Sequence, residues 1–477
     1  MKPAIPASST PTASPTGSPA RAAVAGAGAE TGSSARAADK AIGCGDLDCH
    51  ARALCISSIE EAAVARTGAE KPKLSVIIPA RDEAANIGRC LRSILAQQGI
   101  AFQVIVVDDH STDRTAEIAR QVAEEFAAAP DGGSAAQSGA CQPGPPTRAA
   151  DKAIGCGDLD CHARALYISS IEEAAVAGAS PAPVIVIEAR RPLPAGWTGK
   201  ANAISSAVPL AEGDWLLFTD ADTEHAPGSL SAAVREAEQH GADLLSLSPE
   251  QQVEGFWERT LMPVIFAELA SAFRPREVSD PTKSVAAANG QYLLIRRAVY
   301  QAVGGHAAVA QNLLEDVALA RRVKGAGYVL RFRLGKGMVR TRMYRGLRQM
   351  REGWTKNLAL LFPDAGSLAY RRLTEFVVLV ALPPAAAAAW IAKAGPARYA
   401  LLGAAAAAWG NFLRRTRQAH FDPLSTALAF CGLPLFASLL LGSARAHREG
   451  QVEWKGRNYC VSPASAKIEE RCHPGQH

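Results

Sequence analysis

The feature that most constrains the fold is a repeated strand-then-helix pattern in which each strand ends in acidic residues. The run KLSVIIPA (73–80) is short, apolar and β-branched, and the segment after it (86–97) has helical spacing. A second run, FQVIVVDD (102–109), precedes STDRTAEIARQVAEEF, which has the pattern of a helix capped near Ser111 or Thr112. This order predicts an α/β protein with a parallel sheet and right-handed crossovers.

Acidic side chains lie at the predicted carboxyl ends of the strands, where ligands of parallel sheets bind. They are Asp82, Glu83, Asp108, Asp109, Asp220 and Asp222. The last two end the apolar run LLFTDAD (216–222); both can face one way if the strand continues, or share one ion if the chain turns. Two like charges so close need a cation or a proton. Lys200, at a predicted helix start, suits an anionic ligand such as a diphosphate.

A segment of the sequence occurs twice. Residues 36–65 return as residues 148–177 with one change, Cys55 becoming Tyr167. Two nearly identical copies favour a recent duplication over a solenoid, which needs at least three repeats. Both copies carry the same Cys, Cys, His triplet (Cys44, Cys49 and His50; Cys156, Cys161 and His162), so a zinc or haem site is an alternative, although the spacing fits neither usual motif. We interpret the second copy as part of a solvated insert at about 129–182, after which PVIVIEA resumes as a strand.

The two ends of the chain differ from its middle. The first 35 residues are mostly Pro, Ala, Ser and Gly, which predicts a disordered region, extended here to residues 1–71. The segment lacks the apolar core of a signal peptide, whereas a transit peptide stays an alternative. Three apolar blocks lie between residues 375 and 444 and favour membrane helices (366–445) over buried soluble helices. A basic tail (446–477) follows.

A basic segment precedes the apolar blocks. From residue 321 to residue 356 there are twelve Lys or Arg and one acid, Glu352. Attraction of a juxtamembrane segment to anionic lipid explains this charge more simply than nucleic-acid binding does. We therefore expect a membrane partner and no nucleic acid.

Six stretches together resemble the family-2 glycosyltransferases of the GT-A fold. They are SVIIPARDEAANI, VIVVDDHSTDRTAEIA, GWTGKANA, LLFTDAD, ANGQYLLIRRAVYQAVGGH and LLEDVALARRVKGAGY, in the family's order. LPAGWTGK and DADTEHAPGSL are similar to the branch associated with hopanoid and carotenoid glycosylation. The resemblance implies a mixed, mostly parallel sheet in a catalytic domain at 72–365, followed by C-terminal membrane helices.

The resemblance also implies roles for particular residues. Asp220 and Asp222 would form the DxD motif that holds Mn²⁺ or Mg²⁺ on the donor diphosphate, and hard oxygen ligands suit these ions. Glu83 and Asp109 would contact the nucleoside, and Lys200 would lie near uracil or phosphate.

On the acceptor side, Asp316 matches the family's catalytic base, with its neighbour Glu315 as the alternative carboxylate. In-line attack assisted by this base predicts inversion at the anomeric carbon. Processive members carry a QxxRW signature; here RQMREGWTKN keeps the Trp (Trp354) without that spacing, which argues against polymer synthesis. Trp354 would lie near the acceptor or anchor the chain at a membrane interface.

The sequence therefore predicts a metal-dependent, inverting glycosyltransferase that moves a sugar from a nucleotide sugar, a UDP-sugar, to a lipid. We expect a multi-pass protein of the inner (plasma) membrane with a cytoplasmic catalytic domain. Three crossings would place the basic tail outside, against the positive-inside bias, and an even number would remove this conflict. The alternatives are a processive polysaccharide synthase and a membrane-anchored metal- or haem-binding protein.

Overall fold

The computed structural model describes residues 71–128, 166–167, 184–189 and 192–459. These residues belong to one compact unit that begins at Glu70. The predicted disordered region lies outside the described residues except for Lys71, and so does nearly all of the predicted insert.

The secondary structure alternates strands and helices through most of the unit. The strands are β1 (Leu74–Ala80), β2 (Phe102–Asp108), β3 (Leu166–Tyr167), β4 (Val184–Glu188), β5 (Trp215–Phe218), β6 (Thr223–His225), β7 (Leu244–Ser248), β8 (Glu250–Gln251), β9 (Leu293–Arg296), β10 (Leu330–Leu334), β11 (Val339–Thr341), β12 (Val452–Trp454) and β13 (Arg457–Tyr459). The helices are α1 (Ile87–Leu95), α2 (Thr115–Ala127), α3 (Gly199–Ala207), α4 (Ser229–Gln239), α5 (Phe256–Ala272), α6 (Pro275–Ser279), α7 (Arg297–Ala302), α8 (Glu315–Gly325), α9 (Leu347–Leu361), α10 (Ala365–Ile391), α11 (Ala397–Thr416) and α12 (Pro423–Arg448).

A mixed sheet forms the centre of the part of the chain that the structure describes. Its eight strands have the order β10-β7-β9-β5-β1-β2-β4-β3. β1 pairs in parallel with β2 and β5, β2 with β4, and β7 with β10. β9 runs antiparallel to β5 and β7, and β3 is antiparallel to β4. The predicted mixed, mostly parallel sheet of the α/β class is confirmed.

The central strands are apolar on both faces because helices cover both faces of the sheet. Alternate residues of β1 belong to different cores: Val76 and Ile78 lie in one apolar cluster and Ile77 in the other. All three are fully buried. The strands therefore read as continuous apolar runs, and polar side chains collect where the strands end.

The loop after β2 differs from the prediction. The helix begins at Thr115, not near Ser111 or Thr112. The Ser111 hydroxyl accepts a hydrogen bond from the Asp82 amide at 2.9 Å, and the Thr112 amide donates to Asp82 Oδ1 at 2.7 Å, so both residues join the loop after β2 to the loop after β1. Because Ser111 and Thr112 form these hydrogen bonds between loops, they do not cap the helix, which begins at Thr115.

The C-terminal part of the unit is helical. α12 packs along α5, and α10 packs against both α11 and α12. Among the described residues, α10 and α12 are long and apolar enough to cross a membrane, judged by length and composition. The middle block, which forms α11, does not meet that criterion. The prediction of three spanning candidates is thus reduced to two.

Candidate active site

The carboxyl ends of the central strands and the starts of two helices line one cavity. The cavity has a volume of about 1340 Å³. Its charged part includes Glu83 after β1, Asp109 after β2, Lys200 in α3, Asp220 and Asp222 after β5, and Glu315 and Asp316 in α8. Every residue that the sequence predicted for a donor or a base is brought to this cavity.

Lys200 is the central cation of the cavity. Thr198 caps α3 by accepting a hydrogen bond from the Ala201 amide, which fixes Lys200 in the first turn of the helix. The Lys200 ammonium lies 2.7 Å from Asp220 Oδ1 and 3.2 Å from Glu315 Oε1. Burial disfavours the charged amine, but these carboxylates outweigh it and raise the pKa of Lys200.

Asp222 lacks such a cation at hydrogen-bond distance. The chain turns after β5 and does not continue as a strand, so both acids lie between β5 and β6. Among the described residues, Asp222 Oδ1 accepts one long hydrogen bond, 3.5 Å, from the Gln291 side chain. Burial and then the charges of Asp220 and Glu83 raise the pKa of Asp222 to about 7. A bound cation would relieve this repulsion.

The residues present fit a divalent metal ion. Asp220 and Asp222 offer hard carboxylate oxygens, the ligands that Mn²⁺ and Mg²⁺ prefer. Within the described ranges, no group of three or more His, Cys, Asp or Glu is arranged to hold a metal. The two carboxylates would therefore hold the ion together with oxygens from water or a bound phosphate, which is the usual arrangement for Mg²⁺.

Asp316 and Glu315 are adjacent but differ in environment. Asp316 accepts hydrogen bonds from the Gly290 amide at Oδ2 and from the Val317 amide at Oδ1, both at 2.7 Å. Burial and the neighbouring Glu315 raise the pKa of Asp316 to about 6. Burial also disfavours ionised Glu315, but Lys200 and Lys356 outweigh it and lower the pKa of Glu315. Asp316 thus has the chemistry of a base near neutral pH, and Glu315 that of a fixed anion.

We call the part of the cavity that Glu83 and Asp109 line the donor end, after the roles predicted for these two residues. It contains two ion pairs that the sequence did not predict. Lys455 Nζ lies 2.7 Å from Glu83 Oε1, and Arg457 holds the Asp109 carboxylate with both terminal nitrogens. Both cations belong to the hairpin of β12 and β13, which the sequence assigned to a basic tail. The stretch VEWKGRNY has apolar and aromatic residues around a Lys-Gly turn, and this was the available signal for a hairpin.

Trp354 also lines the cavity and belongs to an apolar cluster. Its side chain is buried and contacts Phe266 and Tyr344, with ring centroids 6.2 Å and 6.0 Å away. The indole Nε1 has no hydrogen-bond partner among the described residues. Buried Trp N–H groups normally have a partner, so Nε1 is an unsatisfied donor within the part of the chain that the structure describes.

Other apolar side chains and several cations also line the cavity. The apolar residues are Phe266, Leu269, Phe273 and Leu361. The cations and potential cations are Arg274, Arg414, Arg417 and His420. The cavity therefore joins a charged part to an apolar part that lies beside the C-terminal helices.

A comparison with known families identifies the class of this fold and site. Residues 75–131 and 189–304 match the family described as glycosyl transferase family 2. The chain is 25% identical over 403 residues to the 4,4'-diaponeurosporenoate glycosyltransferase of Staphylococcus aureus strain MRSA252, covering 82% of this chain and 88% of the relative. The enzyme of the same name from strain USA300 matches equally in identity and coverage.

Solved glycosyltransferase structures also match in part. The mannosyltransferase PcManGT from Pyrobaculum calidifontis, in complex with GDP-Man and Mn²⁺, has a TM-score of 0.43 and 18% identity, and the match covers 84% of this chain and 96% of that one. Residues 1–349 of Staphylococcus aureus TarS with UDP-GlcNAc have a TM-score of 0.33 and 13% identity, covering 81% and 96%.

The chain carries a family 2 glycosyltransferase domain with a GT-A-like mixed sheet, and it is a glycosyltransferase. The similarity to the branch associated with carotenoid glycosylation is also confirmed, since the curated relatives bear such a name.

Proposed function

We propose that this enzyme transfers one sugar from a nucleotide sugar, a UDP-sugar, to a lipid acceptor at a membrane, with inversion at the anomeric carbon and with Mn²⁺ or Mg²⁺ as cofactor. The observation that carries the proposal is the composition of the cavity. Its charged part suits a diphosphate and a metal, its apolar part suits a lipid, and Asp316 lines the same space. One cavity therefore has a place for donor, base and acceptor.

The donor half rests on the distribution of charge. Glu83 and Asp109 would contact the nucleoside, and Lys200 would lie near the diphosphate or the base. Asp220 and Asp222 would hold the metal ion, which when bound would stabilise negative charge on the leaving nucleoside diphosphate. Lys200 also fixes the orientation of Asp220 through their 2.7 Å contact. This role of Lys200 links donor binding to the metal carboxylates.

The chemical step depends on Asp316. Its two backbone hydrogen bonds hold the carboxylate in one orientation, and its pKa of about 6 leaves it ionised at neutral pH. Asp316 would take the proton of an acceptor hydroxyl as the hydroxyl oxygen attacks the anomeric carbon, and the nucleoside diphosphate would leave from the opposite face. Glu315 would support this step by forming an ion pair with Lys200, whose Nζ lies 3.2 Å from Glu315 Oε1.

The acceptor half rests on the apolar side of the cavity. Phe266, Leu269 and Phe273 come from α5 and the residue after it, and Trp354 comes from α9. The unpartnered Nε1 of Trp354 would donate to a polar atom of the acceptor near its reacting group. A lipid with one polar end matches this combination of an apolar wall and a few polar groups.

Membrane attachment is supported by exposed apolar side chains on the C-terminal helices. On α10, Val377 is 61% exposed and Ile391 81%, and on α11 Tyr399 is 56% exposed. Trp390 and Tyr399 lie beside Arg398, an arrangement that suits a membrane interface. Exposed apolar surface of this extent marks a lipid or protein contact, and the length of α10 favours lipid.

The test uses the purified full chain in lipid nanodiscs with a panel of nucleotide sugars. Acceptors are membrane lipids with a hydroxyl group and 4,4'-diaponeurosporenoate, the compound in the relatives' name. Released nucleoside diphosphate and glycosylated lipid are measured with Mn²⁺, with Mg²⁺ and with EDTA. We expect one sugar per acceptor and no product with EDTA. Metal-independent transfer or a polymeric product would contradict the proposal.

A further inference from the structure

The hairpin of β12 and β13 lies over the donor end of the cavity and is fixed there by several contacts. Val452 and Tyr459 form a small apolar cluster with Leu313, which shortly precedes Asp316 in the chain. The Lys455 amide donates to Glu352 Oε1 at 2.9 Å, and the Lys356 ammonium lies 5.0 Å from the Trp454 ring centroid. The hairpin is therefore docked against both the loop before the base and α9.

The turn of the hairpin determines where its charge points. Lys455 and Gly456 both have positive φ, +47° and +71°, as a two-residue type I′ turn requires. A positive φ is uncommon for lysine, since Asn and Gly are the usual residues in this turn. The Lys455 side chain is 27% exposed, and its ammonium donates to Glu83 Oε1 and to the Arg81 carbonyl. Lysine is thus an unfavoured residue for this turn position, and Lys455 places its cationic side chain at the cavity.

Two neighbouring cations of the cavity, Arg457 and Lys200, are already paired with carboxylates. Arg457 makes a two-nitrogen pair with Asp109 and contacts α3, since a Cβ on Gly199 would collide with its guanidinium. Lys200 is shared between Asp220 and Glu315. Among the described residues Lys455 pairs with one carboxylate, that of Glu83, and it lines the same cavity as Asp220 and Asp222.

We propose that Lys455 is a donor-binding residue: its ammonium leaves Glu83 to bind the diphosphate of the nucleotide donor, and the C-terminal hairpin is part of the donor site. This inference rests on the proposed function. The diphosphate of a nucleotide sugar brings two negative charges into the cavity that Glu83 and Asp222 line, and the flexible side chain of Lys455 allows its ammonium to move toward this charge. Arg457 keeps its pair with Asp109 and positions the hairpin.

The test separates a contact with phosphate from a structural role by comparing a nucleotide with its nucleoside. Full-length protein in nanodiscs with Mg²⁺ is titrated with UDP and uridine, and with GDP and guanosine. Lys455→Asn removes the charge and keeps a residue that type I′ turns favour. We expect it to weaken nucleoside diphosphate binding about tenfold or more and to change nucleoside binding less than about twofold. Lys455→Arg should retain most of the affinity.

A matched control is available in the same chain. Lys393 also has a positive φ, +49°, in the turn after α10 and does not line the cavity, so Lys393→Asn should bind both ligands as wild type does. Unchanged or tighter diphosphate binding by Lys455→Asn, or equal weakening of nucleotide and nucleoside, would overturn the inference and leave the proposed function standing. Failure of the wild type to bind any nucleoside diphosphate would overturn both.

Discussion

At the scale of single residues, the acids of the cavity differ in what compensates their charge. Asp220 has Lys200 at 2.7 Å, whereas in the part of the chain that the structure describes Asp222 accepts one long hydrogen bond, from Gln291. Asp316 is compensated by two backbone amides and Glu315 by Lys200. Because each carboxylate has a different partner, neighbouring acids in one cavity can serve different purposes, as metal ligand, base and fixed anion.

Asp222→Asn tests the metal site. The amide keeps the size of the side chain and removes one charged oxygen ligand, so metal-dependent transfer should be abolished. Since the substitution removes a buried charge, the free energy of unfolding should not fall. Asp214→Asn is the control, because Asp214 pairs with Lys71 on the surface. Activity is measured as released nucleoside diphosphate and folding by thermal melting. Full activity of Asp222→Asn in buffer freed of trace metals would exclude this assignment.

Asp316→Asn tests the base. Loss of the proton acceptor should slow the chemical step by about 10² to 10⁴-fold, with little change in donor affinity, because the donor's charge is met by other groups. Glu315→Gln should cost less. Single-turnover rates and donor Kd are measured for both variants. A weaker Kd with an unchanged rate at saturation would assign Asp316 to donor binding, and a larger rate loss at Glu315 would make that residue the base.

The pH dependence of the reaction follows from the same group. Asp316 must be ionised to accept a proton, and burial and Glu315 raise its pKa to about 6 while Lys200 opposes that rise. The wild-type rate should therefore fall as the pH drops below about 6 and reach a plateau above it. Glu315→Gln removes the anion that raises this pKa, so the acid limb should move to lower pH. An acid limb that does not move would exclude coupling between the two carboxylates.

At the scale of elements, the duplicated segment is joined to the domain at one place in the described residues. Leu166 and Tyr167 form β3, which pairs with Val186 and Ile185 at the edge of the central sheet. The sequence predicted a solvated insert and did not foresee a strand there. Two residues on one edge leave the rest of the sheet complete, because β4 also pairs with β2.

Excision of residues 148–177 tests whether the second copy matters. We expect a folded, active enzyme with a slightly lower Tm, because long surface insertions cost little closure entropy and the lost strand is short. The control is excision of the first copy, residues 36–65, which removes almost the same sequence from a position before the catalytic domain. Melting temperature and donor binding are measured for both. Loss of folding or of donor binding on excision of the second copy alone would show that it has become structural.

At the scale of the whole molecule, the ion pairs between the hairpin and the donor end restrict the membrane topology. Lys455 and Arg457 follow all three C-terminal helices in the chain, yet they contact Glu83 and Asp109 of the catalytic domain. The end of the described chain therefore lies on the same side of any membrane as the catalytic domain. Three crossings are incompatible with these contacts, and an even number of crossings agrees with them.

This topology can be measured by accessibility of a tag. A tag after residue 477 and a tag before residue 1 should both be accessible from the cytoplasmic side of inverted vesicles. A third tag in the turn between α10 and α11 (392–396) should be protected or accessible from the other side. Tags at the two chain ends on opposite sides would contradict the hairpin contacts, because the chain would then cross the membrane an odd number of times.

The sequence by itself determined the strand-and-helix order and the acids that end the strands. These signals are local: an apolar run of strand length and its flanking polar residues are adjacent in the chain, so β1, β2 and the site acids could be predicted within a few residues. The helix start at Thr115 was missed because Ser111 and Thr112 form hydrogen bonds with Asp82, which lies on the loop after β1.

The tertiary structure alone decided which groups compensate one another. Lys455 is 372 residues from Glu83 in the chain, and Arg457 is 348 from Asp109, so no sequence pattern relates them. Their pairing depends on α10, α11 and α12 returning the chain to the catalytic domain. The pKa of a carboxyl group depends on every charge and apolar atom around it. The sequence could therefore name Asp222 and Asp316, while packing set one pKa near 7 and the other near 6.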